Sequence, residues 1–219
     1  MSAGEHPFDR GYWEDRYGAS ELAWSGNPNP VLVAEATPLT PGRALDIGSG
    51  EGADALWLAQ QGWHVTGVDI ATNALNKARA RAESVDSDAA ARIDWQQHDI
   101  TTWSPAPQSF DLVSSQFMHL PPPILAKVLR ALAAAVAPGG SLLVVGHDAS
   151  DHDENSFHRG HLKELMFATD DVLEAIKDEQ LQVTVAESRE RKSSPGPHNE
   201  FFHDIVVLAT RPPAGSTAS

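Results

Sequence analysis

The chain contains no cysteine. That excludes disulfides, thiolate metal sites and cysteine nucleophiles from its chemistry. Basic residues are also scarce: 16 Lys and Arg stand against 30 Asp and Glu, a formal net charge of −14 in 219 residues. A surface of that sign repels a phosphate backbone, and no local basic patch offsets it. Neither a nucleic acid nor an anionic membrane is therefore an expected partner. No stretch approaches the ~20 apolar residues of a membrane span, and the opening MSAGEHPFDRGYWEDRYG lacks the apolar run of a signal peptide. The expectation is a soluble, cytoplasmic protein. Its length suits one domain that buries roughly 70% of its surface on folding and needs no disulfide, metal or partner for its core.

What is present is an alternation of short β-branched runs with longer Ala-rich runs of helical period, the pattern of an α/β domain. Strands are expected at Arg43 to Ile47, His64 to Asp69, Ile93 to His98, Phe110 to Ser114, Ser141 to Gly146, Gln182 to Ser188 and Phe201 to Thr210. Helices are expected at Ala53 to Gln61, Ala71 to Ser84, from the Pro121-Pro122-Pro123 run to Pro138, and from Asp170 to Lys177 with Thr169 as N-cap. The last two strands are joined through RERKSSPGPHNE, which reads as a hairpin. The fold class is thus α/β, a seven-stranded and mostly parallel sheet with an antiparallel last strand and helices on both faces. Residues 1–41 read as an N-terminal leader or cap, 42–211 as the main domain, and 212–219 as a disordered tail. His147 to Phe167 is long, polar and irregular, the kind of loop that covers a site.

The segment ALDIGSGEGADALWLA carries Asp46 at a strand end, then Gly48, Ser49, Gly50 and Gly52 leading into a helix. Glycines there allow a ligand to approach the backbone, and a helix N-terminus stands behind them. Asp69 follows at the end of the second strand and Asp99 after the third. All three acids fall at carboxyl ends of parallel strands, the edge where open α/β sheets bind ligands. The glycine spacing and the acid ahead of it depart from the dinucleotide fingerprint, which leaves a nicotinamide-dependent oxidoreductase as the alternative enzyme.

The pattern D-x-G-x-G-x-G resembles motif I of the Rossmann-like S-adenosylmethionine-dependent methyltransferases. That resemblance implies S-adenosylmethionine as cofactor and S-adenosylhomocysteine as its product. It implies that Asp46 attracts the ammonium group, that Asp69 accepts from the ribose hydroxyls, and that Asp99, Ile100 and Ile70 surround the adenine. Gly48, Ser49, Gly50 and Gln116 join them as cofactor-binding candidates. The leader YWEDRYGASELAWSGNPNPVLV looks like that of the thiopurine and tellurite-resistance methyltransferases, which act on sulfur or metalloid nucleophiles. By that likeness Arg16 holds the methionine carboxylate and Trp24 packs near the sulfonium. An alternative reading has Trp13, Tyr17 and Trp24 simply stapling the leader to the core.

Methyl transfer from a sulfonium is a direct displacement, in which alignment alone can supply about 7 to 11 kcal/mol. His119, a few residues past the fourth strand in SSQFMHLPPP, is the candidate general base; the competing reading is a histidine that fixes a turn. The Asn/Asp-Pro-Pro-aromatic signature of amide and nucleic-acid amine methylases is missing, since Ser114-Ser115-Gln116-Phe117 occupies its position. His147, Asp148, His152, Asp153, His158 and His161 raise the question of a metal, but a solvated lid lining the substrate entrance explains them better, and no metal site is assigned. The expected function is methyl transfer to a small-molecule acceptor at S, O or a metalloid. A module that binds S-adenosylmethionine without turnover is the alternative outside enzymes.

Overall fold

The computed structural model describes residues 9–19, 22–150, 163–191 and 202–215. Its strands are β1 (Arg43–Ile47), β2 (His64–Asp69), β3 (Ile93–Gln97), β4 (Phe110–Gln116), β5 (Val136–His147), β6 (Gln182–Arg191) and β7 (Phe202–Thr210). They form one sheet in the order β3-β2-β1-β4-β5-β7-β6. The first five run parallel, whereas β7 is antiparallel to both β5 and β6. This is the expected mixed sheet with its antiparallel last strand. The order reverses beside β1, which opens a crevice between the carboxyl ends of β1 and β4.

The helices are α1 (Arg10–Gly18), α2 (Pro30–Ala36), α3 (Ala53–Gln60), α4 (Thr72–Val85), α5 (Ser87–Ala90), α6 (Pro122–Ala135) and α7 (Thr169–Ile176). Side chains of a strand alternate between faces, and here both faces are covered. Leu142, Val144, Leu45 and Ile47 pack with α6 and α7, while Leu143, Val145, Ala44 and Leu112 pack with α2 and α3. The i, i+3, i+4, i+7 stripe Leu125, Val128, Leu129 and Leu132 seats α6 on its face. Each such side chain stabilises by about 1.5 to 3 kcal/mol when fully buried. No helix among the described residues is long and apolar enough to cross a membrane.

Several boundaries differ from expectation. The helix α6 stops at Ala135 instead of continuing to Pro138, because Val136 turns extended and pairs with Phe110 of β4. The Arg211 guanidinium then donates to the Val136 and Ala133 carbonyls at 2.8 and 3.0 Å, a cation at a helix C-terminus. Thr169 is not the cap of α7 but its first residue; the Ala168 N–H donates to Asp171 Oδ2 at 2.8 Å instead. Pairing with β5 carries β4 on to Gln116, and pairing with β7 carries β6 on to Arg191. These extensions matter, since they bring polar side chains of strands to the edge of the crevice. The rest of the expected hairpin, most of the expected lid and the end of the tail lie outside the described residues.

Candidate active site

At the end of β1 the chain turns through Gly48-Ser49-Gly50-Glu51-Gly52 into α3. The N–H groups of Gly48 and Ser49 both donate to the Val68 carbonyl, at 2.8 and 2.9 Å, and Gly50 N–H donates to Asp69 Oδ2 at 2.8 Å. The loop is thereby drawn down onto the end of β2. Gly50 has φ +52°, and a Cβ there would lie 3.0 Å from the Tyr17 hydroxyl. Gly52 has φ +77°, and its Cβ would meet the Trp95 ring at 2.4 Å. Both backbone and space therefore require glycine at these two positions.

Three carboxyls gather beneath and beside this loop. Asp46 is 2% exposed, and its Oδ2 has no hydrogen-bond partner among the described residues. Burial pushes its carboxyl well above the usual range, with Asp54 and Asp69 adding repulsion and a hydrogen bond from the Ala55 N–H opposing it. Burial raises Asp54 to about 6 despite the bond from the Asn29 N–H at 2.6 Å. Burial also raises Asp69, against the N–H groups of Ala71, Gly50 and Ile70. Ser49 Oγ is a second buried atom lacking a hydrogen-bond partner among the described residues. Buried polar atoms of native proteins are normally satisfied, so orphaned acceptors beside a cleft point to a ligand that donates to them. A cation satisfies this donor set best.

The leader closes one wall. The Glu51 carboxylate, 4% exposed, accepts from the Ala23 and Trp24 N–H groups and from Lys77 Nζ. Trp24 Nε1 donates to the Tyr17 hydroxyl at 3.3 Å, and the Arg16 guanidinium lies 4.6 Å over the Trp24 ring. Asn29 caps α2 through its Oδ1 and donates from Nδ2 to Gln116 Oε1 at 2.9 Å. Glu14 of α1 in turn accepts from the Thr72 and Asn73 N–H groups at the start of α4. Stapling and covering are thus one arrangement. Trp24 fastens the leader and faces the cleft as well.

The cleft has a volume of about 1400 Å³, enough for a cofactor and an acceptor together. It brings together Arg16, Trp24, Gly48, Ser49, Gly50, Asp69, Ile70, Asp99, Ile100, Gln116 and His119. Asp46 is not among the residues that line it. In β1, Leu45 and Ile47 face α6, so Asp46 faces the first turn of α3. At the end beside Ile70 and Ile100, Asp99 Oδ1 holds a tight turn by accepting from the Thr101 N–H and hydroxyl, and His98 stacks on Trp103 at 4.3 Å.

The opposite end holds a cluster that sequence reasoning did not assemble. The rings of His119 and His147 stack, 4.9 Å apart and 19° from parallel. His147 Nδ1 lies 3.3 Å from Asp204 Oδ1, and the other Asp204 oxygen accepts from Arg191 Nε and Nη2 at 2.7 Å. The Arg191 guanidinium caps the Phe117 ring at 4.6 Å, and Phe117 packs against His147 at 4.8 Å. Phe117 has φ +54°, uncommon outside glycine, and is held by its N–H bond to Val145. The available signal was Asp204 itself, an acid inside the apolar run of β7. Among the described residues no group of three His, Cys, Asp or Glu is arranged to hold a metal ion. His152, Asp153, His158 and His161 lie outside those residues.

Residues 44–140 match the family model described as Methyltransferase domain. The chain is 29% identical over 140 residues to the Probable thiol methyltransferase 2 of Arabidopsis thaliana, which covers 62% of this chain and 61% of that protein. It is 33% identical over 143 residues to the Ubiquinone biosynthesis O-methyltransferase of Xylella fastidiosa, which covers 63% of this chain and 54% of that one. The chain therefore spans less than two thirds of the length of these relatives. A solved S-adenosylmethionine-dependent methyltransferase from Methanosarcina mazei shares the fold, with a TM-score of 0.67 at 19% identity over 85% of this chain and 99% of that one. The matched segment runs from the glycine loop through the acids after β2 and β3 and past β4 to the start of β5, so residues 44–140 are a methyltransferase domain, and the solved structure shows that the chain has the Rossmann-like fold.

Proposed function

We propose that this chain transfers a methyl group from S-adenosylmethionine to a small acceptor at a thiol, a hydroxyl or a metalloid nucleophile. The observation that carries the reading is the buried carboxyl cluster at the glycine loop, with Asp46 Oδ2 unsatisfied among the described residues. A pyrophosphate there would meet the Asp54 and Asp69 carboxyls, with Asp46 behind them, which argues against a dinucleotide. An adenosyl amino acid brings an ammonium group, which the same carboxyls attract.

When bound, S-adenosylmethionine supplies an electrophilic methyl carbon on a cationic sulfur. In this reading Asp69 takes the ribose hydroxyls with the lone pairs left over from Gly50 and Ala71. Ile70, Asp99 and Ile100 surround the adenine, Asp54 at the cleft wall draws the ammonium with the Asp46 carboxyl behind it, and Arg16 holds the carboxylate. Trp24 offers its ring to the sulfonium, and the leader, residues 1–41, acts as a cap over the cofactor. His119 and His147 stand at the acceptor end of the same cleft. The net charge of −14 supports a small acceptor over a polynucleotide. The names of the thiol and O-methylating relatives support sulfur or oxygen as the methylated atom.

Calorimetry with S-adenosylhomocysteine and with NAD, followed by methyl transfer to a panel of thiols and phenols, tests this. S-adenosylhomocysteine should bind and NAD should not. Tight NAD binding with no response to S-adenosylhomocysteine overturns it, and cofactor binding without product on any acceptor class assigns a binding module instead.

A further inference from the structure

We propose that His147, held by Asp204, takes the proton from a thiol or hydroxyl acceptor, and that His119 is a positioning residue stacked against it. This rests on the methyl-transfer reading and adds the group that prepares the acceptor. The β5–β7 register sets His147 directly opposite Asp204. With Nδ1 turned to a buried carboxylate, the imidazole keeps its N–H there and its lone pair on Nε2. Asp204 is itself fixed by the paired bonds from Arg191, so the carboxylate cannot swing away from the ring. Phe117 and His119 both pack on the imidazole, which is thereby held in orientation at the cleft.

Two stacked imidazoles repel when both are charged, and a carboxylate against one of them offsets that repulsion for its proton. His147 has that partner in Asp204. Among the described residues, the other titratable and charged groups around it are His119 after β4, Asp148 next in the chain, His203 on β7, and Arg189, Glu190 and Arg191 on β6. In the transfer step the acceptor's S–H or O–H bond breaks, and its proton goes to Nε2 of His147. The freed electron pair forms the bond to the methyl carbon, while the pair of the broken carbon–sulfur bond stays on sulfur and neutralises it. The imidazolium then returns its proton to solvent.

The experiment compares wild type and His147→Gln on 2-mercaptoethanol, which carries its proton at neutral pH, and on 4-nitrothiophenol, which is already ionised. Loss of the base should lower kcat/KM on 2-mercaptoethanol by about 10² to 10⁴ and spare the ionised thiol. The S-adenosylhomocysteine affinity should stay unchanged. Nitrogen NMR of the His147 imidazole in the intact protein gives an independent reading. Asp204→Asn should lower its titration midpoint and move the acidic limb of the pH–rate profile the same way, since the imidazolium loses its carboxylate. Equal losses on both thiols, no loss on either, or a His147 titration indifferent to Asp204→Asn overturns the proposal. Failure of wild type to bind S-adenosylhomocysteine overturns the methyl-transfer reading instead, and the imidazole titration still decides whether the dyad exists.

Discussion

Asn29 Nδ2 donates to Gln116 Oε1 at 2.9 Å across 87 positions of sequence, and so joins the leader to the end of the central strand β4. Gln116 is held in turn by its own bond to Ser114 Oγ at 3.0 Å. Asn29 also caps α2 and donates its N–H to Asp54. One side chain thus sets both the start of a helix and the wall of the cleft.

Asn29→Ala removes the cap and the tie together, whereas Gln116→Ala removes the tie and the bond to Ser114 but keeps the cap. The first should destabilise the fold by about 1 to 2 kcal/mol in urea unfolding, the magnitude of a lost N-cap. The second should lose less stability while weakening S-adenosylhomocysteine in calorimetry. Equal stability losses would mean that the cap contributes nothing.

Glu51→Ala should release the leader without unfolding the sheet. Its carboxylate accepts from two backbone N–H groups and a lysine, all at a buried position. Each bond to a charged group contributes about 1.5 to 3 kcal/mol, shared here among linked donors. Limited proteolysis should then cut the leader faster in the variant, while the 44–140 core resists as in wild type. An unchanged cleavage rate would show that the leader is held by its aromatic contacts alone.

The glycine loop, Asp69 and Asp99 were legible because each belongs to a local pattern, a strand end followed by a turn. Strand centres were legible for the same reason, since apolar runs buried on both faces have few other uses. The ties of Asn29 to Gln116, of Glu51 to the leader and of His147 to Asp204 were not legible. Each joins segments that meet only through strand order, and β7 returns antiparallel beside β5 to make the last of them. Asp46 was grouped with the cofactor acids by its motif, yet strand alternation turns its side chain toward α3 and away from the cleft wall.

Asp69 now carries a structural expectation as well as a binding one. Its two oxygens accept from the N–H groups of Gly50 and Ala71, and both bonds are buried. Asp69→Ala leaves those donors unsatisfied, at about 1 to 3 kcal/mol each. Thermal unfolding of the ligand-free variant should fall well below wild type before any ligand is added. A variant that melts like wild type and still loses S-adenosylhomocysteine would reduce Asp69 to a ribose contact.

The carboxyl cluster makes stability and ligand binding respond to pH in opposite senses. Asp54 is raised to about 6 and Asp46 well above its usual range, chiefly by burial, so the folded protein binds more protons than the unfolded chain. Stability then declines as pH rises from the ordinary carboxylate range through about 6, because the ionised forms are penalised only when folded. Asp54→Asn keeps an acceptor for the Asn29 N–H but cannot ionise. In the ligand-free state it should therefore flatten the decline and raise the melting temperature above pH 6. A cationic ligand needs the ionised cluster, so S-adenosylmethionine affinity should weaken as pH falls through about 6 and respond less in Asp54→Asn. Calorimetry from about pH 8 to about pH 5 checks both trends on the same protein. If affinity holds constant across that range while stability follows the expected curve, the cluster titrates but does not face the cation.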